Sequence, residues 1–186
     1  MATKKCRHCQ VRYERKPEHH SFRNWCSIDC GVALSIAKLA ASKDKAKKVK
    51  HKEDKERVKP LSKWLDEAQA VVNRYVRLRD KDLGCVSCDK PASWDGQWHA
   101  SHFHSRGKSS FLRFNLLNIH KSCSVCNNHE SGNLIPYKAE MINRIGQERF
   151  DHLEATASNP RRYDMAYLAR LKKIFAKRCR ILERRS

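Results

Sequence analysis

The sequence predicts a small α+β protein, in which helices surround a short zinc-stapled ββα core and a separate zinc finger precedes that core on a helical arm. Cysteines form two quartets of closely paired residues, and apolar residues recur at helical spacing in several segments. Asp95-Gly96 gives a hairpin turn signal between Ser93-Trp94 and Gln97-Trp98-His99. The 186 residues suffice for one domain of ordinary size or two small ones.

The composition is strongly basic, with 40 Lys+Arg against 20 Asp+Glu and a formal net charge of +20. A chain this basic most often binds nucleic acid, and an anionic membrane surface is the rival partner. The sequence contains no long apolar run and no signal-peptide pattern, so we expect a soluble, cytosolic protein. The short cysteine spacings then favour metal ligation over disulfides, and the unpaired Cys179 is interpreted as a small buried hydrophobe.

Residues 1–31 are predicted to form the N-terminal finger, because they hold the first quartet, Cys6, Cys9, Cys26 and Cys30. So short a segment buries little apolar surface, and a metal has to supply much of its folding free energy. Residues 32–59 contain no Gly or Pro and are predicted to form a basic helical connector. Its apolar stripe ends at Leu39, so the connector is either a solvated charge run or a contact with the DNA backbone.

Residues 60–158 are predicted to form the core. Apolar residues at helical spacing follow Pro60 up to Leu78, and a second helix is expected over 137–153. A short helix is expected to open near the end of the second quartet, which comprises Cys85, Cys88, Cys123 and Cys126. Asn159-Pro160 then interrupts the chain, and residues 159–186 are predicted to form a basic C-terminal helix from about 161.

Four cysteines close a tetrahedral zinc site without help from histidine, so the histidines and asparagines around the second quartet are free for other chemistry. Hydrolysis of a phosphodiester needs a base for water and a cation for the developing charge. A ββα-metal nuclease site supplies both. His102, after the strand, is our candidate general base, and Asn118 is the asparagine that holds it. Asn127 and His99 are candidate ligands of the catalytic cation, with His120 and His129 as spare ligands for the metal or a phosphate.

Several stretches resemble the NinG (Rap) recombination nucleases of lambda-like phages: Trp98-His-Ala-Ser-His102-Phe, Leu112-Arg-Phe-Asn115, Asn118-Ile-His-Lys121, Cys123-Ser-Val-Cys126-Asn127, Ser131-Gly-Asn-Leu-Ile-Pro-Tyr137 and Ile145-Gly-Gln-Glu148. The resemblance implies an HNH-like (His-Me finger) core and a Mg²⁺- or Mn²⁺-dependent, structure-specific endonuclease. Its substrates would be branched recombination intermediates, such as Holliday junctions and D-loops, in the bacterial host cell. Members of that family carry Asp where this chain has His99. Imidazole is a softer ligand than carboxylate, so His99 either shifts the preference toward Mn²⁺ or is not a ligand.

Branched DNA would be bound through its backbone charge and shape. Candidate contacts are Arg106, Lys108, Arg113, Lys121 and Lys138. A second basic surface is expected from Arg161, Arg162, Lys172, Lys173, Lys177 and Arg178. Symmetric cutting of a four-way junction needs two active sites, which favours a homodimer, and phage or host recombination proteins are further candidate partners. Two other interpretations remain open: a non-catalytic zinc-dependent nucleic-acid-binding protein, and a protein–protein adaptor.

Overall fold

The structure is a computed structural model that describes residues 3–14 and 22–185. The chain divides into two compact units, Met1–Lys59 and Pro60–Ser186. Each unit combines helices with a two-stranded antiparallel sheet, so the predicted mixture of helices and small sheets is confirmed. Residues 15–21 of the predicted finger lie outside the described residues. Within the described ranges, no helix is both long and apolar enough to cross a membrane.

The first unit consists of a short hairpin and one long helix. Strand β1 (Thr3–Lys5) pairs with β2 (Arg12–Glu14), with Lys4 opposite Tyr13. Helix α1 (Ile28–Arg57) begins before the predicted connector, because the Ser27 hydroxyl caps it by accepting a hydrogen bond from Cys30 N. None of the described α1 residues is buried, which follows from the loss of an apolar stripe in the sequence.

The second unit is held together by two long helices packed against each other. Helix α2 (Leu61–Arg79) buries Ala68, Val72 and Val76, spaced four residues apart, against the apolar stripe of α6 (Met165–Glu183). Helix α6 begins at Met165 and not near 161, because the Asp164 carboxylate caps it through a 2.7 Å bond from Tyr167 N. Residues 161–163 therefore have no regular secondary structure and precede the helix.

The sheet of the second unit lies against α2. Strand β3 (Trp98–His102) pairs antiparallel with β4 (Ile119–Cys123), so that Trp98 lies opposite Cys123 and His102 opposite Ile119. The predicted hairpin turn at Asp95-Gly96 is absent: residues 93–97 form no strand, and Trp94 packs edge-on against Trp98. Every residue of β4 is buried, and helix α3 (Ser124–Asn128) follows the strand directly.

A second apolar core lies under two further helices, α4 (Leu134–Ile145) and α5 (Gln147–Thr156). One helix is predicted over 137–153, but the chain turns at Gly146, whose φ of 84° belongs to the left-handed region that favours glycine. The Tyr137 hydroxyl donates to Ser101 O at 2.8 Å and so ties α4 to β3. The buried members of this core are Val86, Leu112, Tyr137, Met141, Phe150 and Leu153.

Candidate active site and metal centres

The second cysteine quartet has the geometry of a closed zinc site. The sulfur atoms of its four cysteines all lie within 4.8 Å of one another, and Cys88 Sγ is 3.8 Å from Cys123 Sγ. Four thiolates at about 2.3 Å from one tetrahedral zinc ion lie about 3.8 Å apart. The backbone N–H groups of Ser87 and Cys123 point at Cys85 Sγ, at 3.4 and 3.2 Å. The quartet is therefore compatible with zinc.

This quartet joins the loop 85–88 to the sheet. Val86 N donates to Lys121 O at 3.0 Å, which ties the loop to β4. Trp94 and Trp98 pack against the buried cysteines. Two of the cysteines lie at the start of α3, because Cys123 caps that helix and Cys126 is in its first turn. A metal held here would fix the position at which α3 leaves the sheet.

The first quartet brings its sulfur atoms equally close together. Cys9 Sγ lies 3.4 Å from Cys26 Sγ, which lies 3.6 Å from Cys30 Sγ, and all four sulfurs fall within 4.8 Å of one another. The hairpin supplies Cys6 and Cys9, and the start of α1 supplies Cys30. This quartet too is compatible with zinc.

An open cleft of about 700 Å³ lies beside the second quartet. Its walls come from β3 and the residues that flank it, from one face of α2, from Asn127 of α3 and from the turn that follows α3. It brings together four of the side chains that the sequence singles out, namely His99, His102, Arg106 and Asn127. The other lining residues are Asn73, Arg77, Gln97, Trp98, Ala100, Ser101, Ser105, Ser131 and Gly132. These lining residues include two arginines and no carboxylate.

His102 is held in a defined orientation at the end of β3. Its Nε2 donates to Arg113 O at 3.0 Å, which leaves Nδ1 without a proton and available to accept one. The pKa of His102 is lowered to about 4, mainly by burial and to a smaller extent by the positive charges of Arg106 and Arg113, against the raising effect of the bond to Arg113 O. The imidazole is therefore neutral at pH 7, which is the form that a general base requires.

Asn118 fixes the chain that follows His102. The asparagine is completely buried, and its Oδ1 accepts from His104 N at 2.8 Å. Its Nδ2 donates to His104 O at 3.0 Å and to Leu112 O at 3.2 Å, while Asn118 O accepts from Phe103 N. The two residues after His102 are thus bound by both the side chain and the backbone of one asparagine.

His99 and Asn127, which both line the cleft, are in contact with each other. Asn127 Nδ2 lies 3.0 Å from His99 Nδ1, and the same amide group donates to Asn128 Oδ1 at 2.9 Å. Rotation of the Asn127 amide by half a turn brings its oxygen toward the imidazole nitrogen. One nitrogen and one oxygen then face the same space, which is a donor pair suited to Mn²⁺ or a similar cation.

The other two candidate metal ligands lie outside the cleft. His120 is buried, its Nε2 donates to Leu117 O at 3.0 Å, and its Nδ1 lies 3.4 Å from Arg79 Nη2. Burial lowers its pKa to about 4, with Arg79 as the next contributor. His129 is exposed at the end of α3.

The five candidate DNA contacts also differ in their exposure and in whether they line the cleft. Arg106 and Lys108 are exposed, and Arg113 is half-buried. Lys138 is exposed and lies over the Phe150 ring, away from the cleft lining. Lys121 is only 2% exposed, its Nζ donates to Lys81 O at 2.9 Å and lies over the Trp98 ring, and burial lowers its pKa. Its ammonium group therefore faces the protein interior and not a surface that DNA can reach.

Two features of the candidate site were not predicted from the sequence. Asn73 and Arg77 line the cleft from α2, and their spacing of four residues next to the buried stripe was the signal that could have revealed them. Arg79 and Asp80 form an ion pair at 2.6 Å, and Arg79 also donates to the carbonyl groups of Leu116 and Ile119. Asp80 accepts from Lys121 N, so the pair braces the chain that carries Asn118 into β4.

Comparison with known proteins identifies the family. The family model described as "Bacteriophage Lambda NinG protein" matches residues 1–185. "Protein ninG" of Escherichia phage lambda is 39% identical over 177 residues, which cover 87% of this chain and 86% of the relative. The proteins of the same name from Escherichia phage 933W and Salmonella phage P22 are 38% and 37% identical, over 86% and 83% of this chain and 84% and 83% of their own lengths. No solved structure matches significantly. The chain therefore belongs to the bacteriophage NinG family.

Proposed function

We propose that this protein is a metal-dependent, structure-specific endonuclease that hydrolyses phosphodiesters in branched recombination intermediates, including Holliday junctions and D-loops. The observation that carries the proposal is the orientation of His102. Its Nε2 donates to Arg113 O, so the neutral ring keeps Nδ1 as a proton acceptor, and the residue lines an open cleft at the end of β3. A histidine with only a packing role needs no such access to solvent.

In the proposed reaction, His102 Nδ1 takes a proton from a water molecule whose oxygen attacks the scissile phosphorus. The phosphorus–oxygen bond to one strand breaks, and the departing oxygen takes a proton from solvent. Asn118 keeps the base in place by holding residues 103 and 104. Arg77 and Arg106 in the cleft lining would pair with the phosphates on either side of the cut.

A divalent cation would neutralise the charge that develops on the phosphate. His99 and Asn127 are the residues that would hold it, since they are the two candidate ligands that share the cleft. We therefore leave His120 and His129 out of the proposed ligand set. The succession of β3, β4 and α3 around these side chains supports assignment of the core to the ββα-metal, HNH-like class.

The partner we propose is branched DNA in the cytoplasm of the bacterial host. The net charge of +20 supports binding to nucleic acid, and such binding must weaken as salt rises. A four-way junction offers two equivalent strands, so we propose that the protein cuts it as a homodimer.

The composition of the cleft favours one alternative, a non-catalytic zinc-dependent DNA-binding protein, because none of its lining residues is a carboxylate that could anchor Mg²⁺.

Cleavage of a labelled four-way junction and its matched linear duplex, with Mg²⁺ or Mn²⁺, separates these two functions. We expect the wild type to cut the junction selectively. His102→Ala should reduce the rate by a factor of about 10² to 10⁴, the usual contribution of a general base. The matched control is His152→Ala, which removes an exposed histidine of α5 that lines no part of the cleft. It should cut like the wild type.

Asn127→Ala tests the ligand set in the same assay. It should slow cleavage and raise the Mn²⁺ concentration needed for half-maximal rate, while junction affinity stays within about two-fold, because phosphate contacts dominate affinity. Unchanged turnover of this variant would remove Asn127 from the proposal. Junction binding by the wild type with no cutting in either metal would favour the non-catalytic alternative.

A further inference from the structure

A second cavity lies next to the cleft and shares Arg106 with it. Its volume is about 350 Å³. Its walls come from the start of α2, the loop after β3 and the chain before α6. The lining residues are Leu61, Leu65, Arg106, Ser110, Arg113, Arg161, Arg162 and Tyr163. We call this cavity the arginine pocket.

The arginine pocket carries a large excess of positive charge. Four of its eight lining residues are arginines, and none is acidic. Among the described residues, the ion pair recorded for these arginines joins Arg113 to Asp66 at 4.0 Å, and the Asp66 side chain is 63% exposed. A carboxylate this exposed and 4.0 Å away offsets little of the arginine charge. Arg113 Nε is buried and has no hydrogen-bond partner in the described part of the chain. The pocket therefore has the electrostatics of an anion site.

The lining of the pocket is also partly apolar and aromatic, which a site for a bare phosphate does not need. Leu61 and Leu65 contribute aliphatic surface, and Tyr163 contributes a ring. The ring is fixed, because its hydroxyl donates to Ser110 O at 2.8 Å and its edge packs against Phe114. The guanidinium of Arg161 lies over the same ring, 5.2 Å from its centre, and 4.9 Å from the centre of the Tyr167 ring. Nucleic-acid bases stack on tyrosine rings and on guanidinium planes of this kind.

The structure holds the pocket in shape through one serine. Ser110 Oγ accepts from Arg161 N at 2.9 Å, and Ser110 O accepts from the Tyr163 hydroxyl. The loop after β3 and the chain before α6 are thus joined across the pocket. A preformed pocket that combines apolar and charged lining residues is typical of a ligand site.

We propose that the arginine pocket binds one unpaired nucleotide of single-stranded DNA. The base lies against Tyr163 and Arg161, and the flanking phosphates lie on Arg106 and Arg162. A cavity of about 350 Å³ is at the small end of ligand sites, which suits one nucleotide and excludes a duplex. The role of the pocket rests on the proposed function. A strand bound in the pocket would pass Arg106 and enter the cleft. The pocket would therefore select branched DNA that has an unpaired nucleotide beside the cut.

Binding to two fluorescent oligonucleotides without divalent cations tests the pocket directly. One is a single strand, and the other is the same strand with abasic positions, which keeps every phosphate and removes the bases. We expect the full-length wild type to bind the abasic strand about ten-fold more weakly, since stacking of one base contributes about this factor. Arg161→Ala/Arg162→Ala should weaken binding to the normal strand and remove most of the difference between the two strands.

The matched control is Lys173→Ala/Lys177→Ala, which removes two exposed charges of α6 that do not line the pocket. It should weaken binding to both strands equally. A photoreactive 5-iodouracil in the strand should cross-link to the peptide that contains Tyr163. A cross-link confined to other peptides, or equal wild-type affinity for the two strands, would overturn the proposal. Equal affinity for polyglutamate of the same charge would overturn it in favour of an acidic peptide.

None of these measurements requires cleavage, so the two proposals fail separately. A cross-link at Tyr163 in a protein that cuts no junction would support the pocket and remove the endonuclease. Junction cutting that depends on His102, combined with equal affinity for normal and abasic strands, would support the endonuclease and remove the pocket.

Discussion

The two cysteine quartets have the same donor atoms and similar sulfur spacing but very different surroundings. In the second quartet Cys85, Cys123 and Cys126 are buried, and backbone N–H groups point at the sulfurs of Cys85 and Cys123. In the first quartet only Cys6 is buried, the strand residues beside it are mostly exposed, and the described α1 residues bury nothing. One quartet is thus part of a packed core, and the other has little protein around it.

This difference predicts that the same type of metal centre has a different structural role in each unit. In the first unit the metal would replace a hydrophobic core and supply the folding free energy. In the second unit it would also position the cleft, because Asn127 directly follows Cys126 and Gly132 N donates to Cys126 O at 2.8 Å. Loss of the first metal should therefore unfold only a finger, whereas loss of the second should unfold the unit that forms the candidate active site.

The largest expected effect comes from Cys123→Ser, compared with Cys6→Ser. Both sulfurs belong to fully buried residues, so the two substitutions are closely matched. Each should lower the zinc content from two ions to one, and structural zinc contributes about 10 kcal/mol or more in small zinc domains. Cys123→Ser should unfold the second unit and abolish cleavage, whereas Cys6→Ser should unfold only the finger. Hydrogen exchange read by mass spectrometry locates the loss. A folded, active Cys123→Ser protein would contradict the comparison.

A smaller effect should appear as acid sensitivity of the second unit. His120 has its pKa lowered from 6.5 to about 4 by burial, with Arg79 adding to the shift, Asp80 opposing it and Arg144 contributing weakly. The unfolded chain takes up a proton near pH 6.5 and the folded chain does not, so stability is full above pH 6.5 and falls as the pH drops toward 4. Between pH 7 and pH 5 this histidine should cost about 2 kcal/mol of unfolding free energy.

His120→Gln removes the titrating group and keeps a side-chain donor for Leu117 O. Urea unfolding of the second unit at pH 7 and pH 5, in excess zinc, should show that the wild type loses about 2 kcal/mol more than the variant. Acid release of zinc affects both proteins alike and cancels in the difference. Equal losses in the two proteins would mean that His120 is protonated in the folded state at pH 5.

The smallest expected effect concerns a hydrogen bond between the second quartet and the cleft. Ser87, which lies between two cysteines of the quartet, donates from its hydroxyl to Gly132 O at 2.8 Å. Ser87→Ala leaves this carbonyl unpaired in a buried position, which should cost about 1 to 2 kcal/mol. Because Gly132 lines the cleft, cleavage should also slow by a few-fold. The control is Ser35→Ala on exposed α1, whose hydroxyl makes a similar bond to Gly31 O. Equal effects of the two substitutions would argue against any link from quartet to cleft.

Features encoded over short stretches of sequence could be predicted. The spacing of the cysteines predicted both quartets, the apolar period predicted α2, and the NinG resemblance predicted the family. His99, His102 and Asn127 share one cleft because they lie on a strand pair and the helix that directly follows it. Their catalytic and metal-binding roles remain predictions.

Features decided by distant contacts could not be predicted. The hairpin turn signal at Asp95-Gly96 was overridden, because β3 pairs with β4 across the connection 103–118. The burial of Lys121 follows from the position of β4 in the core, where no residue faces solvent, so polar residues no longer mark an exposed face. The cleft residues of α2 lie more than twenty positions upstream of the histidines, and only folding brings them together.

The exposure of Cys9 makes the first quartet more reactive than the second toward reagents that attack thiols. Oxidants and alkylating reagents reach a cysteine according to its accessibility, and Cys9 is exposed whereas the second quartet has three buried members. We expect oxidative damage to eject metal from the finger first and to spare the second centre. Under oxidative stress the protein would then pass through a form that holds one zinc ion. In this form the second unit is still folded and the first unit is unfolded.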